Sequence, residues 1–194
     1  MKKSCCFVFF IYLYIAGYAQ QPTATSPKIT VDSIVKAIQE RNDRLIGKNF
    51  PLFSTVYKNQ NFNNKNLAGK IVFVNFWFAT CAPCLAEFGD LNQLYDSLKG
   101  NKNFEFISFT YEKQDKIDEI VKQYNMQYKI LSISYNDCYR LNQNNGFPVS
   151  IIIDDKGKIN YLRAGGFASE EFVTRSVFNL FYPKLKAALT ASGF

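Results

Sequence analysis

Apolar and polar positions follow distinct periods along this chain, and each change of period marks an element. The block Ile71-Val72-Phe73-Val74-Asn75-Phe76-Trp77 is broken by one polar residue and is rich in β-branched and aromatic side chains. Such a composition predicts a strand buried on both faces at the centre of a sheet. Helical spacing then takes over, with Leu85, Phe88, Leu91, Leu94, Tyr95 and Leu98 on one side and Gly100 just past the end. Phe104 to Thr110 reads as a second buried strand. Ile117, Ile120, Val121 and Tyr124 share one face of a helix over Lys116 to Tyr124. Lys129 to Ile133 is expected as a short strand and Asp137 to Asn142 as a helical turn. Val149 to Ile153 and Ile159 to Arg163 are strands joined through the turn Asp155-Lys156-Gly157-Lys158. From Ser169 onward, Phe172, Val173, Val177 and Leu180 predict a last helix that Pro183 restarts or kinks.

Upstream, Val31, Ile34, Val35 and Ile38 give a short amphipathic helix that ends before Gly47. Phe50 to Tyr57 reads as strand and the Asn-rich stretch Asn59 to Asn66 as a turn region. This order predicts an α/β fold, a central mixed β-sheet flanked by helices on both faces, preceded by an N-terminal helix and β extension.

With 194 residues, the chain has room for one domain with a sizeable core and short extensions. The first residues change that picture. Lys2 and Lys3, an apolar stretch from Cys5 to Ala16, and small residues at Gly17 and Ala19 have the three parts of an export leader. Residues 1–19 are therefore expected to be a signal peptide, 20–46 a polar linker with the N-terminal amphipathic helix, and 47–194 the folded domain. The formal charge of +7 falls to +5 once the two leader lysines are gone. Lys113, Lys116 and Lys122 are interleaved with Glu112, Asp115 and Asp118, a solvated mixed face rather than a nucleic-acid stripe.

Removal of the leader leaves Cys81, Cys84 and Cys138, and the chain has no His. Ser-His-Asp and Cys-His catalysis are excluded in their usual forms. Three cysteines also fall short of the four ligands of a structural zinc, so no metal is expected. Cys81-Ala82-Pro83-Cys84 sits where the central strand gives way to a helix. Unpaired N–H groups and the helix dipole there favour a thiolate at Cys81, and a thiolate attacks foreign disulfides. A static structural bridge across two residues would close too little chain to stabilise much. Cys138 is expected to be a buried small hydrophobe.

The run Trp77-Phe78-Ala79-Thr80-Cys81-Ala82-Pro83-Cys84 after a buried strand, followed by Gly146-Phe147-Pro148 entering another strand, resembles the thioredoxin superfamily, a thioredoxin-like fold. Within it the chain is most similar to exported TlpA/ResA-like thiol-disulfide oxidoreductases. The resemblance covers about residues 47 to 190 and includes Leu67-Ala68-Gly69-Lys70.

It implies that Cys81 is a partly exposed nucleophile, that Cys84 is the less exposed resolving thiol, and that the two form a redox-active disulfide. Ala82 and Pro83 would tune its potential. Glu87, one helical turn past Cys84, would be the acid/base, a role left open by spacing alone because acidic residues near a helix start also complement its dipole. Asn75 stands where many cytosolic thioredoxins carry a buried Asp, and an amide cannot take up that proton. Pro148 would be the cis-proline that leaves the Phe147 backbone open to an extended client. Phe78 and Phe147 would line the client groove, with Trp77 a motif residue that supports the site or shares the groove with them. No cofactor is implied. The implied partners are proteins with disulfides or thiols and a membrane thiol electron donor. Nucleic acid is not among them, and membrane contact is expected only during export or with an uncleaved leader.

The expected activity is reduction of client disulfides in the periplasm or cell envelope, in cytochrome c maturation or thiol repair. The separation of 64 positions from Cys84 to Pro148 leaves little space for the helical insertion of the oxidases of this fold. A peroxiredoxin pattern would need Pro at Val74 and Thr at Phe78, and a copper carrier would need a His. The remaining alternatives are an oxidase or isomerase of the same fold and a non-enzymatic interaction module.

Overall fold

A computed structural model describes residues 30–165 and 176–194, and Asp32–Phe194 form one compact unit. The expected leader over 1–19, the linker up to Lys28, and Ser169, Phe172 and Val173 of the last predicted helix lie outside the described residues.

Five strands form the sheet: β3 (Ile71–Phe76), β4 (Phe104–Thr110), β5 (Lys129–Ser132), β6 (Val149–Ile153) and β7 (Ile159–Ala164), in spatial order β5-β4-β3-β6-β7. β4 runs parallel to β3 and β5, whereas β6 is antiparallel to β3 and to β7. Central β3 is buried at all six positions, as its nearly continuous apolar pattern requires. Its residues divide by the strand period of two. Ile71, Phe73 and Trp77 face the helices α2 (Ala82–Leu98), α3 (Gln114–Tyr124) and α5 (Val177–Ala191), while Val72, Val74 and Phe76 face the other way. On the first side Phe73 meets Phe106 and Phe181 edge-on at 4.8 and 5.0 Å. Each such buried ring stabilises the fold by roughly 2–3 kcal/mol.

The second side is covered mainly by the chain before β3. α1 (Val31–Asp43) contributes Ile38, the short α4 (Tyr135–Leu141) contributes Cys138 and Leu141, and between them lie Phe50, Phe53, Phe62 and Leu67. This segment begins at the β7 edge, where Gly47 donates to Ile159 O and Ile159 donates to Lys48 O. It ends against β5, where the Thr55 hydroxyl donates to Ser132 O.

Two expectations are corrected here. The predicted strand Phe50 to Tyr57 is shorter, β1 (Ser54–Tyr57), because Pro51 lacks a donor and the Asn64 side chain holds the segment instead. Asn64 accepts from Phe53 N–H at 2.7 Å and donates to Pro51 O. The Asn-rich stretch is no simple turn: β2 (Gln60–Asn63) pairs with β1, and a 3-10 turn (Asn64–Leu67) follows, capped by Asn63. The turn itself is Lys58-Asn59, both at positive φ of 48° and 61°, the geometry that suits a two-residue hairpin. Elsewhere the differences are at boundaries. α3 starts two residues before the predicted Lys116, α4 is capped by Ser134, and α5 runs through Pro183 as one helix.

Candidate active site

β3 ends at Phe76, and the loop beyond it is tied down at three points before α2 begins. Trp77 N–H donates to Phe109 O at 3.1 Å, Cys81 N–H donates to Phe78 O at 3.1 Å, and Ala79 N–H donates to the Glu112 carboxylate at 2.7 Å. Cys81 then caps α2. Its Sγ accepts from Cys84 N–H at 3.3 Å, and Pro83 sits in the first turn where a missing N–H costs nothing. Cys81 and Cys84 are joined in a disulfide. A donor already aimed at Cys81 Sγ would stabilise a thiolate there once the bridge is reduced.

Cys81 is only 4% exposed and Cys84 1%, so the expectation of a partly exposed Cys81 is corrected for the closed disulfide. Both sulfurs belong to the cluster that holds Trp77 and Phe88. The groove reading of Trp77 is corrected too: it is fully buried, edge-on to Phe88 at 5.4 Å, and presents no surface to a client.

Glu87 lies on α2 with 17% of its side chain exposed, and Arg163 Nη1 of β7 stands 3.9 Å from its Oε1. Burial pushes the carboxyl up to about 7; Arg163 pulls it down and Asp90 adds to the rise. Asp90 is engaged at the start of α5, where it accepts from the Ser176 hydroxyl at 2.6 Å and from Phe178 N–H. Asn75 is buried in the sheet, donating to Ser150 Oγ at 3.2 Å and accepting from Ser108 Oγ at 3.4 Å. Its amide is a structural link that neither gains nor loses a proton in the neutral range.

Pro148 follows a cis peptide bond from Phe147. The next residue, Val149, pairs with Phe76, which sets the Phe147-Pro148 step at the same end of the sheet as the Cys81 loop. Asn142 Nδ2 holds Gly146 O at 2.7 Å, and Gly165 N–H donates to Pro148 O at 2.7 Å. Gly165 is required there, since a Cβ would lie 2.7 Å from Pro148 Cγ. Half-buried Phe78 and Phe147 meet edge-on at 5.2 Å. From them the aromatic surface continues through Tyr111, which stacks on Phe78 at 5.7 Å, to Tyr139 and exposed Tyr135. Cys138 is fully buried, and burial pushes its thiol up to about 12, so it stays protonated and inert.

Sequence reasoning missed Glu112, Gly165, Arg163 and the three tyrosines. Glu112 and Tyr111 follow the C-terminal end of a strand parallel to β3, the end at which α/β sheets build sites, and that position was their available signal.

A helix-capping cysteine bridge off the central strand, with a proline-entered antiparallel strand beside it, defines a thioredoxin-like protein. The AhpC/TSA family model matches residues 46–162, more than half of the chain, and the chain belongs to that family. Among curated relatives it is 31% identical over 116 residues to thiol-disulfide oxidoreductase ResA of Bacillus thuringiensis subsp. konkukian, covering 59% of this chain. It is 28% identical over 116 residues to ResA of Halalkalibacterium halodurans, covering 56% of this chain. The matches span 66% and 64% of those relatives, just under two thirds of their length. Among solved structures, a thioredoxin-family thiol:disulfide interchange protein from Chlorobium tepidum superposes with a TM-score of 0.58 at 24% identity, over 73% of this chain and 95% of that one. A thiol-disulfide oxidoreductase from Bacteroides fragilis gives 0.57 at 19% identity, over 72% and 98%. These likenesses establish the fold.

Proposed function

We propose that the protein is a thiol-disulfide oxidoreductase that reduces client disulfides. The observation that carries this reading is the Cys81–Cys84 bridge at the N-terminus of α2, with Cys84 N–H directed at Cys81 Sγ. In the reduced protein the Cys81 thiolate attacks a client disulfide, forming a mixed disulfide and releasing one client thiolate. Cys84 gives up its proton and attacks Cys81 Sγ. The mixed bond breaks, the second client thiolate leaves, and two electrons have passed to the client as the Cys81–Cys84 bond closes.

Glu87 is the group that accepts and returns the Cys84 proton, one helical turn away, with its affinity raised into the neutral range by burial. Phe78 and Phe147, extended by Tyr111 and Tyr139, form the wall against which the client lies, and the Phe147 backbone beside Pro148 pairs with its extended chain. Ala82 and Pro83 tune the couple, and Trp77 backs it. Val74 and Phe78 stand where a peroxide-reducing site would carry Pro and Thr, which favours disulfides over peroxides as the oxidant. The leader pattern of residues 1–19 supports export to the periplasm or envelope, and the resemblance to exported TlpA/ResA-like oxidoreductases suggests a membrane thiol donor restoring the dithiol and clients in cytochrome c maturation or thiol repair.

Equilibration of the Cys81/Cys84 pair with thiol redox buffers, in a Cys138→Ala background, tests the direction. A potential near or below about −270 mV is expected for a reductase, and one near about −120 mV would overturn it in favour of an oxidase. A pair that does not cycle at all leaves only a binding module.

A further inference from the structure

The registers of four strands set Ser108, Asn75, Ser150 and Arg163 in one lateral row across β4, β3, β6 and β7. Ser108, Asn75 and Ser150 are all buried and are joined through the Asn75 amide. None of the three titrates, so the row's charge stands at its β7 end. There the Arg163 side chain is 9% exposed, and its Nη1 lies 3.9 Å from Glu87 Oε1. At that separation two charges in a poorly solvated site act strongly on each other, yet the contact is too long to be a hydrogen bond that pins the carboxyl. A guanidinium keeps its charge at every working pH, so the state of the pair is decided by Glu87 alone.

We propose that Arg163 is a positioning residue for the exchange reaction: from β7 it keeps the buried Glu87 carboxyl able to ionise, so that this group can take up and return the Cys84 proton. The inference rests on the thiol-disulfide reading above. Without the guanidinium, a carboxyl this deeply buried holds its proton through the neutral range and is a poor acceptor when Cys84 must become a thiolate. Among the described residues, the charged groups acting on Glu87 are Arg163 from β7 and, in opposition, Asp90 from α2. α5 contributes the Ser176 hydroxyl and the Phe178 N–H, both directed at Asp90 rather than Glu87.

The test uses the whole protein with Arg163→Met, Arg163→Lys, Glu87→Gln and the Glu87→Gln/Arg163→Met double change. Two readouts are followed: the carbon-13 NMR titration of the Glu87 carboxyl, and the pH profile of reduction of a peptide disulfide. Arg163→Met should raise the carboxyl midpoint by about one pH unit, the sign and size expected for loss of an opposite charge at this range. The rate profile should move with it. Arg163→Lys should restore both readouts, and Arg163→Met should leave the profile unchanged in the Glu87→Gln background. An unmoved midpoint while exchange proceeds would overturn the role of Arg163 alone, as would a rate shift that persists without Glu87. Absence of exchange in the unaltered protein would instead overturn the oxidoreductase reading and this role with it. Should Arg163→Met fail to fold, Arg163→Gln serves as the second neutral variant, judged by the same outcomes.

Discussion

Replacing Glu87 with Gln should make the disulfide-closed protein progressively more stable than the unaltered one as the pH rises from 5 to 8. In the folded state the carboxyl keeps its proton up to about 7, whereas its ordinary value is 4.5. Between those values the unfolded chain binds fewer protons than the folded one, so the stability of the unaltered protein falls with rising pH across that window. At 1.36 kcal/mol per pH unit the full effect is ~3.4 kcal/mol. That is a ceiling, because a carboxyl with 17% of its side chain exposed keeps some contact with water. Gln fills the same space and has no proton to lose. The stability difference between the two proteins should therefore climb by about 2 kcal/mol from pH 5 to pH 8. Urea unfolding at a series of pH values, with Cys81 and Cys84 kept oxidised so that neither titrates, reads this directly. A difference that stays constant with pH, or that shrinks as the pH rises, would refute the view that burial dominates over Arg163 at this carboxyl.

Two further outcomes follow from the loops around the bridge. Gly165→Ala would place a Cβ 2.7 Å from Pro148 Cγ, so it should cost about 1–3 kcal/mol in urea unfolding and slow disulfide exchange by displacing Pro148; unchanged stability would show that the two segments are not in close contact. Glu112→Ala removes the acceptor of the Ala79 N–H and should cost about 1–3 kcal/mol, with faster hydrogen exchange at Ala79, and an unaltered exchange rate there would count against Glu112 as the anchor of the loop.

Much of the scaffold was legible because one physical signal dominated it. The run from Ile71 to Trp77, apolar at every position but Asn75, can hardly be anything but a central strand, and the leucines after Cys84 can hardly form anything but a helix lying on it. The Asn-rich stretch was misread because asparagine signals turns through its side chain. Here Asn63, Asn64 and Asn66 use those side chains to brace a hairpin, and buried Phe62 with Tyr57 packed beside it supplies its apolar anchor. Trp77 was left between support and groove because a tryptophan near a reactive cysteine reads equally well as core or as wall; only its burial against Phe88 decides. Arg163 and Glu112 were invisible for a different reason. Their roles depend on which segments the fold brings together, Arg163 of β7 against Glu87 of α2 across 76 positions and Glu112 against the loop at Ala79, and such long-range contacts leave no local trace in the chain.

The segment from Gly47 to Leu67, which ties the β7 edge to the β5 side across the back of the sheet, bears on how the chain is made. Its first anchor, Lys48 on Ile159, joins residues 111 positions apart, so during synthesis the segment emerges long before the strand it must grip. Phe50, Phe53 and Phe62 then have no surface to cover until Val72, Ile107 and Ile151 have come together behind them. Contacts of such long range are slow to form, and chains with exposed apolar surface associate wrongly while they wait. Cutting the chain at Leu67 would strip that face permanently and leave Val72, Ile107 and Ile151 without the aromatic cover they pack against.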